Sequence, residues 1–347
     1  LWGLTALLDA PQDVARVHRS YIDVGCDVVC TNTWGLPTAL RDGAVRLSES
    51  ESAEPLHWMD IARRAVALTR QTAREAGRED EVAVAFSLNG DVDTPDGRET
   101  IALLSRAFEE EGPDLILLET LSLVRSSTYA TVEALLATGI PVWLSFRRCR
   151  HGVCGVYGEH WGGPEGDTFG RAARRFEEMG VGALAINCIP PDHVAGMLSW
   201  LRDFTDLPLG VYPNLGYLSA AGWREESGVQ ADEYARLALD WREEGAQIIG
   251  GCCGVRPEHL QSAGAALAQT KPGHERPNVF AHENGGPPTG ASRAQPTSWA
   301  DPRGREMFPL DMPELEVDQG VFVPTQGSFL IWKYLYREGI GAHQRCL

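Results

Sequence analysis

No stretch of this sequence has the roughly 18 consecutive apolar residues that a membrane-spanning helix needs, so no segment is read as crossing a bilayer. A basic start followed by an apolar core, the mark of a secretory leader, is missing too. Positive charge is scarce. Lys and Arg number 31 against 48 Asp and Glu, a net charge of −17, which argues against a nucleic-acid partner and for a well-solvated surface. Eight cysteines in 347 residues fall far below the density of a disulfide-stapled scaffold. They are expected in a reducing, cytoplasmic setting, as buried hydrophobes, metal ligands or reactive thiols. No GxGxxG follows any strand-like run, so the usual dinucleotide signature is also absent.

What is present is alternation. Short apolar runs occur at Cys26–Thr33, Glu81–Ser87, Asp114–Glu119, Pro141–Phe146, Ala183–Cys188, Pro208–Tyr212 and Gln247–Gly251. Continuous runs of this length suit parallel strands buried on both faces. Helical patterns lie beside them at Pro11–Val24, Glu54–Ala76, Glu99–Glu111, Ser126–Thr138, Thr168–Met179 and Ala231–Glu244, several followed by a glycine stop such as Gly139, Gly180 or Gly245. The expectation is an α/β fold of the (β/α)8 TIM-barrel type, with a doubly wound open sheet as the alternative. Seven strands are visible where a barrel needs eight. The chain begins at Leu1, not Met, so loss of the first strand by truncation is expected.

The organisation changes near Thr270. Residues 1–270 read as the barrel. Residues 271–319, rich in Pro, Gly, Ser and Asn, read as a linker and loose extension. Residues 320–347, with FLIWKYLYREG, read as the possible start of a following domain.

The unusual local feature is GGCCGVRPEHL, in which Cys252 and Cys253 adjoin between glycines. Cys188 closes another strand-like run, ALAINC. Parallel barrel strands open their C-terminal ends on one face, so the three sulfurs can converge there. Three thiolates leave one position of a tetrahedral zinc open, as a catalytic site requires. Each cysteine taken singly also fits a small buried hydrophobe, and the adjacent pair fits a strained vicinal disulfide.

These residues carry a resemblance. GGCCGVRPEHL, the Ile186–Cys188 segment INC, VHRSYIDVGCDVVCTNTW (Val17–Trp34), LLETLSL (Leu117–Leu123) and VYPNLG (Val211–Gly216) resemble, in order, motifs of the homocysteine S-methyltransferases. The resemblance implies a zinc-dependent barrel that moves a methyl group from a donor to the thiol of homocysteine, or of a close relative such as selenohomocysteine, giving methionine. It implies Cys188, Cys252 and Cys253 as zinc ligands and Glu119 as the partner of the substrate ammonium. Asn32, Thr33, Asn187 and Tyr212 complete the candidate substrate set, with Asn32 and Thr33 equally readable as loop supports and Asn187 as a brace for Cys188. The final 28 residues weakly resemble the approach to a class I methyltransferase domain. A non-catalytic zinc barrel serving an attached methyltransferase is therefore the alternative. The methyl donor and the oligomeric state are left open by the sequence.

Two departures stand out. The family's early Asp-Gly-Gly turn is absent, and LNGDVDTPDG (Leu88–Gly97) replaces a glycine- and proline-containing loop of the family. A rival metal constellation, Cys149-x-His151-x-x-Cys154, has three donors and no fourth nearby. The following loop, with Tyr157, His160 and Trp161, reads as exposed or as a pocket cover.

Overall fold

The computed structural model describes residues 3–41, 58–149, 152–154, 160–162, 166–219, 222–224 and 228–273. The expected following domain, nearly all of the expected linker, and His151 and Tyr157 lie outside them. The chain divides into two compact units, one formed by Leu1–Leu121 and Ser127–Leu144, the other by Ser122–Ser126 and the residues from Ser145 onward.

The first unit opens with α1 (Leu4–Asp9) and α2 (Pro11–Asp23), then β1 (Val28–Cys30), α3 (Leu36–Arg41), α4 (Trp58–Glu75) and β2 (Ala83–Asn89). It continues through α5 (Pro95–Ala102), α6 (Leu104–Ala107), β3 (Leu115–Leu121) and α7 (Ser126–Leu136) to β4 (Val142–Phe146). The strands run in the order β1-β2-β3-β4. β1 pairs with β2, and β2 with β3, in parallel, with Asn89 opposite Glu119. Six of the seven residues of β2 are buried, which explains its unbroken apolar run.

Pro11 stands at the start of α2, where its missing N–H costs nothing. That helix buries Val14, His18 and Ile22, spaced by four along one face. Ala73 of α4 packs in one buried cluster with Ile22 of α2.

The helix expected at Glu99–Glu111 begins earlier and breaks. Thr94 Oγ1 accepts a hydrogen bond from Gly97 N at 3.0 Å, and Pro95 follows, so this cap starts α5 inside the LNGDVDTPDG loop. Ile101, Leu104 and Ala107 all point inward. Their spacing of three does not match 3.6 residues per turn. Leu103 N therefore bonds to Thr100 O at 3.0 Å, a tighter turn that separates α5 from α6.

The second unit begins with a small antiparallel sheet of β5 (Arg148–Cys149), β6 (Gly152–Cys154) and β7 (His160–Gly162). Next come α8 (Gly166–Met179), β8 (Ala183–Asn187), α9 (Met197–Arg202), β9 (Leu209–Tyr212), β10 (Tyr217–Ser219) and β11 (Gly222–Arg224). The unit ends with α10 (Ala231–Glu243), β12 (Ile248–Ile249) and α11 (Pro257–Leu267). β8, β9 and β12 pair in parallel. Phe146 packs edge-on against Phe169 at 5.0 Å, and Tyr234 against Trp241 at 5.6 Å. The α/β class and the seven expected strands are present, each within three residues of its expected start. Among the described residues no helix is long and apolar enough to cross a membrane.

His18 is 6 % exposed, and its Nδ1 lies 3.4 Å from Thr69 Oγ1. Burial pushes its imidazole down to about 4, against a partial upward pull from Asn32. The unfolded chain thus binds this proton below about pH 6.5 and the folded chain only below about pH 4. Stability is complete above the first value and falls as pH drops toward the second. We expect His18→Gln to lose about 2 kcal/mol less than the parent between pH 7 and about pH 4.5, read from urea unfolding at both pH values.

Candidate metal centre and substrate residues

Cys188, Cys252 and Cys253 come together in the second unit, with all three sulfurs within 4.8 Å of one another. Parallel pairing explains this. Asn187 ends β8 opposite Tyr212, Cys188 N donates to Tyr212 O at 3.2 Å, and Gly250 N donates to Val211 O at 2.9 Å. The loop after β9 then grips the cysteine pair. Cys252 N donates to Pro213 O at 2.9 Å, while Leu215 N and Gly216 N both donate to Cys253 O, at 2.7 and 3.1 Å. Tyr234 Oη donates to Gly250 O at 2.5 Å from below.

The glycines of the motif have separate duties. A Cβ on Gly251 would meet Val255 Cγ1 at 2.2 Å, so only glycine lets Val255 close over the turn. Gly254 sits at φ 77, the left-handed region. His259 is a cap rather than a ligand. Its Nδ1 accepts from Arg256 N at 2.9 Å, which leaves Nε2–H to donate to Val229 O at 3.1 Å.

The sulfurs share their protons unequally. Hydrogen bonding with Cys188 and Cys253, followed by burial, pushes the Cys252 thiol well above the ordinary thiol range. Cys188 also ends high. Its contact with Cys252 works the other way, but that with Cys253 and its burial outweigh it. Cys253, accepting from Cys188 and Cys252, is held well below that range. Arg147 favours the anion at Cys188 and donates to Ser122 Oγ at 2.8 Å. Cys188 itself takes φ 53, a strained conformation for a residue with a side chain.

The donor set fits a metal. Cys252 Sγ and Cys253 Sγ are 3.8 Å apart. Two thiolates bound tetrahedrally at about 2.3 Å stand about 3.8 Å from each other. Asn187 is fully buried, and its Oδ1 accepts from Ser145 Oγ at 2.7 Å, so it braces the strand end that presents Cys188. Asn214 is a loop builder, with Oδ1 accepting from Gly216 N at 2.8 Å.

The first unit holds Asn32, Thr33 and Glu119. Thr33 is fully buried and donates to Ser87 O at 2.8 Å, and Ser87 Oγ in turn donates to the Glu119 carboxylate. Thr33 thus holds a strand end whose serine orients Glu119. Asn32 lies beside the buried His18. Thr120, next to Glu119, takes φ 63 and accepts from Trp34 Nε1 at 3.3 Å. A β-branched residue in that region is a marked outlier, and no sequence signal points to it. A cavity of about 370 Å³ in this unit, lined by Leu36, Leu88, Asp91, Thr94 and Ile101 among others, takes in residues of the Leu88–Gly97 loop but none of the candidate site residues.

Comparison with known proteins follows the same line. The family described as homocysteine S-methyltransferase matches residues 1–267. The chain belongs to that family. It is accordingly an S-methyltransferase that moves a methyl group to homocysteine, giving methionine. It is similar to homocysteine S-methyltransferase 3 of Zea mays, at 25% identity over 80% of this chain and 86% of that one. It is also similar to homocysteine S-methyltransferase YbgG of Bacillus subtilis, at 28% identity over 76% and 87%. The metallated form of the homocysteine methyltransferase MmuM from Escherichia coli shares its fold, with a TM-score of 0.55 and 24% identity over 76% of this chain and 88% of that one.

The close approach at Gly251 gives a direct test. Gly251→Ala drives a methyl into Val255, an overpacking that typically costs about 1–3 kcal/mol. We expect a lower melting temperature together with reduced metal content, read by calorimetry and by a colorimetric metal assay on the same sample.

Proposed function

We propose that residues 1–270 form a barrel of the (β/α)8 type that lacks its first strand in this chain, in which Cys188, Cys252 and Cys253 hold zinc, with the fourth position left to the sulfur of homocysteine. The convergence of three cysteine sulfurs from two separate strand ends supports this reading. Soft thiolates suit zinc over harder cations. A bound zinc ion supplies the Lewis acidity that keeps a coordinating thiol deprotonated, which matters because a free thiol near pKa ~8.5 is mostly protonated at neutral pH.

The remaining work belongs to side chains. Cys188 and Cys252 favour the anion at Cys253, and Arg147 favours the anion at Cys188. Burial of Cys188 and Asn187 keeps water from that strand end. We assign the substrate ammonium to Glu119, whose carboxylate is oriented by Ser87 and, through the Ser87 backbone, by Thr33. Asn32, Asn187 and Tyr212 are assigned to the walls of the substrate site. Thiols that must stay reduced to bind metal suit the cytoplasm.

Two measurements test this. Cys188→Ser and Cys252→Ser should each lower zinc content by about one ion per chain and abolish methionine formation from homocysteine with every donor offered, including S-methylmethionine, S-adenosylmethionine and betaine. Full zinc retention in Cys188→Ser overturns the ligand assignment. For Glu119→Gln, loss of a charge-assisted hydrogen bond should weaken homocysteine binding roughly 30- to 1,000-fold by calorimetry while zinc content stays unchanged. Unchanged affinity removes Glu119 from the site.

A further inference from the structure

The second unit holds another group of metal-ligating side chains, separate from the three cysteines above. Cys149, Cys154 and His193 place their sulfurs and a ring nitrogen within 4.8 Å of one another. Three different pieces of chain supply them. Cys149 ends β5, Cys154 ends β6, and His193 lies in the short 3-10 turn Pro191–His193 that follows β8.

The ladder explains the cysteine pair. Cys149 is opposite Gly152, and Arg148 is opposite Val153. Cys154 N donates to Arg147 O at 3.1 Å, which extends the pairing by one residue. Cys149 and Cys154 are therefore diagonal neighbours on one face of an antiparallel pair. Such diagonals stand about 7–8 Å apart, wider than the backbone spacing that a disulfide usually bridges, and suit an ion between two sulfurs better than a bond between them. Both side chains are buried, at 3 % and 0 % exposure.

The third donor has matching geometry. Cys154 Sγ lies 3.6 Å from His193 Nδ1. A thiolate at about 2.3 Å and an imidazole at about 2.1 Å from a tetrahedral zinc stand about 3.6 Å apart. The other ring nitrogen, Nε2, is 3.9 Å from Asp192 Oδ2. That is longer than a hydrogen bond but within ion-pair reach, on the side where metal-bound histidines commonly find a carboxylate.

We propose that Cys149, Cys154 and His193 form a second zinc site. Binding releases the protons of two thiols to solvent and leaves one position of a tetrahedral ion to water or another donor. The ion ties the β5–β6 hairpin to the turn that leaves β8, the strand whose end presents Cys188. Its role is structural: it fastens a short hairpin to the segment that carries a ligand of the first site.

Zinc titration of the reduced, chelator-stripped full chain tests this, with cobalt absorption as a second readout. The parent should bind two equivalents. Cys252→Ser should keep one, His193→Gln or Cys154→Ser should keep one, and Cys252→Ser combined with Cys154→Ser should keep none. Loss of a direct ligand should weaken the second site more than roughly 100-fold, beyond the usual effect of an outer-shell change. His193 is partly exposed on a turn, so His193→Gln should fold, and unchanged circular dichroism checks it. A parent that binds one equivalent, lost in Cys252→Ser, overturns the second site. So does a folded His193→Gln that still binds two. One equivalent that survives Cys252→Ser and vanishes in Cys154→Ser would instead overturn the first site and keep this one.

Discussion

Three sulfurs on distant stretches of chain can share one ion only if their backbones end at the same place, and parallel strand pairing brings this about. β8, β9 and β12 run side by side in one direction, so Asn187, Tyr212 and Ile249 finish at one edge. The next residues along the chain are then already neighbours. The loop after β9 adds the finer constraint, because two of its amides bind the Cys253 carbonyl and one of its carbonyls takes the Cys252 amide. Removing that loop would leave the sulfurs near one another but not aimed together. The register of the sheet sets the coarse position, and the three backbone hydrogen bonds from this loop set the fine one.

The sequence was most readable where the pattern is simplest. Buried parallel strands are apolar on both faces, so β2, β3 and β8 appear as continuous runs whose limits need little interpretation. Helices beside them carry a regular stripe and a glycine stop. The ambiguous case was Glu99–Glu111. Its inward residues are spaced by three, which looks helical in one dimension but requires a break at Leu103 in three. The strongest chemical signal, two adjacent cysteines between glycines, was readable because few ordinary structures favour it.

Other features could not be read, for physical reasons. Thr120 and Cys188 take left-handed backbone angles that neither residue type announces, since surrounding contacts impose them. Thr33 reads in sequence equally as a substrate contact or as a loop support, and only the fold shows that its hydroxyl bonds Ser87 O, behind the serine that orients Glu119. His193 is a lone histidine in a proline-rich turn. It gains meaning only once a hairpin distant in sequence folds back to it, and no local spacing rule encodes that approach.

Cys188 shows how stability and chemistry can pull apart at one position. At φ 53 a side chain of any kind is a burden, and glycine would adopt the same angle without strain. A search for stabilising substitutions would therefore be drawn to residue 188, and its most attractive answer would delete a sulfur. The reverse also holds. Since the backbone prefers glycine there, the presence of cysteine means that its side chain outweighs a local energetic cost. Engineering that raises the melting temperature of this protein should leave that residue as it is and seek its gains elsewhere.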